Sequence, residues 1–190
     1  MDENTWIEKV LQGDPAAFES LVGKYQARLV AFLWNLLGSG EDARDAAQDA
    51  FIQAYIKLGQ FDRSRSFRSW LFAIAFNRGI DLLRRKRSFH RFWGREASAG
   101  DQPAAPGGAA AIEDSPIWGQ VLGRVTPQER SVLALKYNEG CEAAEIAAML
   151  GCSESTVRVH LLNARRKLKK ELGAAGFAFG QGKPEAGEVP

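Results

Sequence analysis

The sequence predicts an all-α protein built as two small helical bundles joined by a flexible linker, and three observations lead there. Apolar residues recur at spacings of three and four through residues 15 to 92 and again through 116 to 172. Between the two stretches the chain reads GREASAGDQPAAPGGAAAIEDS, rich in Gly, Ala, Pro and Ser and without apolar periodicity, which is the composition of a tether. No strand or hairpin signal and no internal repeat stands out. The expected organisation is a bundle over residues 1–93, a flexible linker over 94–115, a second bundle over 116–172 and a disordered tail over 173–190.

The elements follow in order. Asp14-Pro15 is a good helix start, with Asp as cap and Pro in the first turn. Phe18, Leu21, Val22, Tyr25, Leu29, Phe32, Leu33 and Leu36 then form one helix face, ended by Gly-Ser-Gly at 38 to 40. A second helix begins at EDARD, with acids in its first turn as the helix dipole favours. Its inward stripe is Ala43, Ala47, Ala50, Phe51, Ala54 and Leu58. GQFDRSRS is a loop. The third helix, FRSWLFAIAFNRGIDLLRRKR, is aromatic at its start and strongly basic at its end.

Composition narrows the function. The chain has 190 residues, 45% of them hydrophobic and 25% charged, as in an ordinary globular protein. Its formal net charge is only +2, but the charge is not evenly spread. Residues 78 to 95 hold Arg78, Arg84, Arg85, Lys86, Arg87, Arg91 and Arg95 against Asp81 alone. Residues 156 to 170 hold Arg158, Arg165, Arg166, Lys167, Lys169 and Lys170 against no acid. Two local footprints for a polyanion result. The start, MDENTWIEKV, is no secretion signal, and the longest apolar run, WLFAIAF, is far too short to span a bilayer. Cys141 and Cys152 make no disulfide framework, so a cytoplasmic home without direct membrane insertion is expected. No phosphate loop, nucleophile motif or metal-ligand spacing occurs around His90, His160 and the cysteines. No enzyme, cofactor or metal site is expected.

The second bundle carries the most specific local signal. In AAEIAAMLGCSESTVRVHLLNARRKLKKEL, Ala147, Gly151 and Val157 have helix-turn-helix spacing: a small residue for close packing, a glycine for the turn and a lock between the helices. Ile146, Leu150 and Cys152 fill inward slots, and Ser153 caps the second helix. That helix buries Val157, Leu161, Ala164, Leu168 and Leu172. It turns Ser155, Thr156, Arg158, Val159, His160, Leu162, Asn163 and Arg166 outward. Basic charge concentrates there while the first helix carries only acids, which suits a recognition helix in a major groove better than a merely solvated hairpin. Arg158 and Asn163 are the expected base readers, since Arg suits guanine and Asn adenine.

GEDARDAAQDAFIQAYIKL followed by FDRSRSFRSWLFAIAFNRGIDLLRRKR resembles region two of bacterial sigma factors of the extracytoplasmic-function (ECF) type. VTPQERSVLALKYNEGCEAAEIAAMLGCSESTVRVHLLNARRKLKKEL is similar to their region four. The resemblance spans residues 14 to 172 and implies a dissociable subunit of RNA polymerase that recognises and opens promoters. It assigns core-polymerase contact, with the clamp helices of the largest subunit, to Asp45, Gln48, Asp49 and Phe51, although Phe51 itself reads better as core. It assigns the opened minus-ten strand to Arg63, Ser64, Arg65, Ser66 and Asn77, with Arg84, Arg85, Lys86 and Arg87 on adjoining phosphates. The outward set of the recognition helix would take the minus-thirty-five element. An anti-sigma factor is a further implied partner.

This chain departs from the family where Ala73 replaces a frequent Arg and where Val159, His160, Leu162 and Asn163 replace a more polar, basic run. An unusual minus-thirty-five preference follows. Phe67, Trp70, Leu71, Ile74 and Phe76 are expected mostly in the core, since a small bundle has little else to bury. Two rivals stay open at this point: a conventional helix-turn-helix regulator, which would bind duplex without polymerase, and a membrane-surface helix at 67–93, which would sediment with vesicles. The 22 linker residues reach about 75 Å fully extended, enough for both bundles to hold sites about two turns (~34 Å each) apart on one duplex.

Overall fold

A computed structural model describes residues 2–93 and 123–174, the side chains of 87–93 and 174 apart. The expected linker and tail lie outside the described residues, apart from Gly173 and Ala174, which continue the last helix rather than opening a tail. Among the described residues the structure is helical throughout, without strands. The elements are α1 (Glu3–Leu11), α2 (Ala16–Leu37), α3 (Gly40–Lys57), a 3₁₀ turn (Leu58–Gln60), α4 (Phe67–Trp93), α5 (Pro127–Leu133), a π turn (Ala134–Asn138), α6 (Ala143–Leu150) and α7 (Glu154–Ala174).

The first bundle is built on the stripes the sequence shows. Leu21, Leu29, Leu33 and Leu36 of α2 meet Ala43, Ala47, Ala50 and Ala54 of α3, all buried. The alanines matter because they let α3 lie close to both neighbours. Leu71, Phe72 and Ala75 of α4 close the third side. Each buried Leu or Phe contributes roughly 1.5–3 kcal/mol relative to exposure. Close approach also explains Gly79: a Cβ there would stand 2.3 Å from Leu36 Cδ2 and 3.3 Å from Leu33 Cδ2. Gly38 ends α2 in the left-handed region at φ +71°. Ser39 caps α3 by accepting from the Asp42 amide at 3.3 Å.

α1 is an element the periodicity over 15–92 did not include. Its Ile7 is fully buried against the bundle. Glu3 accepts from the Tyr25 hydroxyl and pairs with Lys24. Burial pushes the Glu3 carboxyl upward, and these two partners more than offset it, leaving it below its ordinary value.

In the second bundle, Thr126 and Glu129 form a reciprocal capping box at the start of α5. Glu129 is almost fully buried, and its carboxylate accepts from Lys167 of α7 at 2.7 and 3.0 Å. Gly151 takes φ +64° at the α6–α7 turn, and Ala147 and Val157 are buried on either side of it, as the spacing predicts. Cys141 is the fully buried cysteine; Cys152 is half-buried.

The two bundles are packed on each other. α5 lies against α2 and α6 against α4, and one apolar cluster runs continuously through both. Polar contacts rim this junction. Arg28 donates to Glu139 through Nε at 3.3 Å and through a second nitrogen. Arg68 donates to the Glu139 carbonyl at 3.0 Å and to Glu145 at 3.2 Å. Arg130 donates to the Asn35 carbonyl at 2.7 Å.

Candidate nucleic-acid interface

The loop before α4 is shaped by Asp62. Its carboxylate accepts from the Ser64 amide at 3.0 Å and the Ser64 hydroxyl at 2.7 Å, closing an Asx turn. The hydroxyl and then the amide hold the Asp62 carboxyl below the usual carboxylate range. The turn leaves Arg63, Ser64, Arg65 and Ser66 exposed in succession. Arg63 reaches Glu8 only at 3.8 Å. Ser66 caps α4, its hydroxyl oxygen accepting from the Ser69 amide at 3.3 Å.

Behind the loop stands an aromatic floor. Trp70 is half-buried, tilted against Phe61 at 5.0 Å and Phe67 at 5.7 Å between ring centroids. Phe67, Leu71 and Phe76 are buried, as expected for core, and Ile74 is half-buried. Trp70, Asn77 and Arg84 are seven residues apart, so they lie on one stripe of α4, at about 10 Å intervals. Asn77, Arg84 and Arg85 are exposed. Lys86 falls on the opposite side and pairs with Asp42 of α3. The basic run therefore divides between two faces. Arg87 continues the helix, and its side chain is outside the described set.

α3 presents a different surface. Asp45, Gln48 and Asp49 are exposed, while Phe51 is buried, as its place in the stripe predicts. Beside them α2 and α3 enclose an apolar groove of about 560 Å³, lined by Phe18, Val22, Val30, Phe51, Ile52 and Tyr55 as well as Gln48. Ile52, Tyr55 and Ile56 are strongly exposed for apolar or aromatic side chains. Sequence reasoning missed this groove. The signal available was Ile52, Tyr55 and Ile56, at helical spacing just off the alanine stripe.

The outward face of α7 follows the spacing only in part, and of the residues expected inward Leu161 and Leu168 are half-buried. Ser155, Arg158, Val159, Leu162 and Arg166 are exposed, and Thr156, His160 and Asn163 half-buried. Ser153 accepts from the Thr156 amide at 3.1 Å, which starts the helix. Arg158 pairs with Glu154 one turn earlier at 3.1 Å. Arg165 donates to the Tyr137 hydroxyl at 2.8 Å and lies over its ring.

Burial raises both thiols above their ordinary value, Cys141 and Cys152 alike, which disfavours the reactive thiolate. Among the described residues no group of His, Cys, Asp and Glu could hold a metal ion, and no helix is long and apolar enough to cross a membrane.

A helix-turn-helix with a cationic outer face, joined to a bundle that combines an exposed polar-basic stripe with an aromatic floor, defines a two-module DNA-binding protein. Family models agree: sigma-70 region 2 matches residues 21–89 and sigma-70 region 4 matches residues 117–168. The ECF RNA polymerase sigma factor SigW of Bacillus subtilis (strain 168) is 30% identical over 176 residues, covering 87% of this chain and 94% of that protein. A solved structure of CnrH in complex with the cytosolic domain of CnrY superposes with a TM-score of 0.65 at 26% identity, covering 90% of this chain and 96% of that one. The sigma factor RpoE of Bartonella quintana, solved with the anti-sigma factor NepR, shares the fold at a TM-score of 0.70 and 23% identity, over 82% of this chain and 96% of that one. The chain belongs to the ECF sigma factors: it is a non-enzymatic factor that recognises promoters in transcription initiation.

Proposed function

We propose that this sigma factor acts in the cytoplasm and divides its work among three surfaces, over a region-two-like domain at 1–93 and a region-four-like domain at 116–172. Core RNA polymerase docks on α3 through Asp45, Gln48 and Asp49, with its largest-subunit clamp helices also covering the apolar groove beside Phe51. The minus-ten strand lies across the loop Arg63, Ser64, Arg65 and Ser66 and along the α4 stripe at Asn77. Arg84, Arg85, Lys86 and Arg87 neutralise adjoining phosphates, Lys86 only after leaving Asp42. α7 enters the major groove at the minus-thirty-five element.

The observation that carries the minus-ten assignment is the stripe Trp70–Asn77–Arg84 standing beside an exposed, donor-rich loop. Extruding a base from a duplex costs a few kcal/mol. Stacking on an aromatic ring returns about 1–3 kcal/mol per base, and Trp70 is the one ring of the floor that is not fully buried. Opening then proceeds by capture: each unpaired base that finds the loop and floor is withheld from re-pairing. The complexes of the solved relatives with CnrY and NepR support a third partner, an anti-sigma factor, for this chain as well.

Run-off transcription with purified core polymerase, this protein and a genomic fragment library tests the proposal. Discrete transcripts that depend on the added protein are expected. Asp49→Arg, a reversal of an exposed charge, should strongly weaken co-purification with core polymerase and leave the melting temperature unchanged. Normal co-purification would remove α3 from the docking surface.

A further inference from the structure

Val159 and Leu162 are 53% and 56% exposed, in the middle of a helix otherwise clad in charge. Helical phase places them. Val157 and Ala164 are fully buried on the side of α7 that packs on α5 and α6. At 100° per residue, Ser155, Val159, Leu162 and Arg166 lie within about 30° of the opposite direction. Arg158 and Asn163 stand about 70° to either side. The centre of the outer face is therefore aliphatic, and the hydrogen-bonding groups flank it.

In a major groove the apolar feature of a base edge is the 5-methyl group of thymine; the remaining groups are donors or acceptors. Two branched aliphatic side chains carried to the floor of that groove would strand polar edges without partners at most base pairs, and bury methyls at those with thymine. We infer that Val159 and Leu162 read thymine 5-methyl groups in the minus-thirty-five element, so that this factor's promoters are selected there by apolar contact as well as by hydrogen bonds. The inference rests on the assignment of α7 to the groove and deepens it.

The test uses the whole chain assembled with core polymerase. Promoters with a randomised minus-thirty-five segment are selected for binding, and each enriched thymine is replaced by deoxyuridine, which differs only in lacking the methyl. Thymine is expected at one or more positions, on either strand, with affinity falling about fourfold for each methyl removed, the value of one buried methyl-sized group. In the double variant Val159→Ala, Leu162→Ala the same replacement should change affinity by less than about twofold. Both side chains are exposed, so folding is not at issue. Equal binding of thymine and uracil promoters by the unaltered protein overturns the inference, as does enrichment of an element without thymine. A full thymine preference retained by the double variant also overturns it. Arg158→Ala separates the two levels. Altered base preference there, with thymine and uracil equivalent, leaves α7 in the groove and removes only the methyl reading. Unchanged preference in Arg158→Ala, Arg166→Ala and the double variant removes α7 from the groove altogether.

Discussion

The junction between the bundles has a consequence for promoter binding that can be measured. A compact body of about 150 residues has a radius of gyration of about 15 Å and is about 40 Å across. Promoter elements two turns apart are separated by about 68 Å. With α4 and α7 on the two elements as proposed, the packed arrangement cannot reach both, and the bundles would have to separate. Glu139 and Glu145 are the residues to change, because each joins the second bundle to an arginine of the first. The Glu139 side chain is 6% exposed and its Arg28 partner 40%, so this pair is half-desolvated. Losing such a charge-assisted contact costs about 1.5–3 kcal/mol. The Arg68–Glu145 pair, with side chains 24% and 39% exposed, is screened by solvent and adds about 0.2–1 kcal/mol. Together the variant Glu139→Ala, Glu145→Ala should lower the closed-to-open ratio about 20- to 850-fold. Small-angle scattering reads this directly: the radius of gyration should rise in the variant and, for the unaltered protein, only as added salt screens the pairs. An unchanged radius at every salt concentration would show that the apolar cluster alone holds the bundles together.

Three further outcomes follow from particular contacts. Arg85→Ala should reduce the log–log salt slope of promoter binding by about 0.9, whereas Lys86→Ala should change it less, because Lys86 is held by Asp42. Arg84→Ala should fall between them, because Arg84 lies 3.6 Å from Asp81 across an exposed pair. Gly79→Val places a branched side chain against Leu36 and Leu33 and should destabilise the first bundle by about 1–3 kcal/mol in denaturant titration. Burial pushes the Glu129 carboxyl up, but Lys167 and the Thr126 amide outweigh it and hold it below its ordinary value of 4.5. A carboxyl so depressed stabilises the fold above its unfolded value and loses that contribution as pH falls through its folded one. Lys167→Met should therefore cost about 1–3 kcal/mol at neutral pH and move the onset of acid unfolding upward; an unshifted acid limb would mean that the pair does not couple to folding.

What could be read from the chain alone was whatever depends on local period. The α2 and α3 stripes and the Ala147–Gly151–Val157 lock are each decided within two or three turns; the structure buries the stripes, Val22 only partly, and Ala147 and Val157 on either side of the exposed Gly151 turn. α1 escaped because Trp6, Ile7 and Val10 form too short a pattern to stand alone; a helix of that length is marginal without a surface to pack on, and α2 supplies it. Lys86 was grouped with Arg84 and Arg85 by adjacency, although helical phase turns it to the other face. The junction lay beyond local pattern altogether. Arg28 and Glu139 are 111 residues apart and Arg68 and Glu145 are 77 apart, and nothing in either neighbourhood marks a charge as paired rather than solvated.

That non-local junction sets the terms on which polymerase is bound. A holoenzyme that spans two elements holds this protein open, so closure is a cost met at assembly. Apparent affinity for the core enzyme is then the intrinsic affinity multiplied by the open fraction. While the unaltered protein is mostly closed, Glu139→Ala, Glu145→Ala should tighten core binding by up to the factor by which it opens the molecule, although neither residue lies on α3. Asp49→Arg acts on the proposed docking surface itself. The two changes touch no common partner, so their free energies should add: the triple variant should bind core more tightly than Asp49→Arg alone, by the gain that the open pair gives in the unaltered background. A gain that disappears when Asp49 is reversed would mean that the junction and the docking face are one surface rather than two.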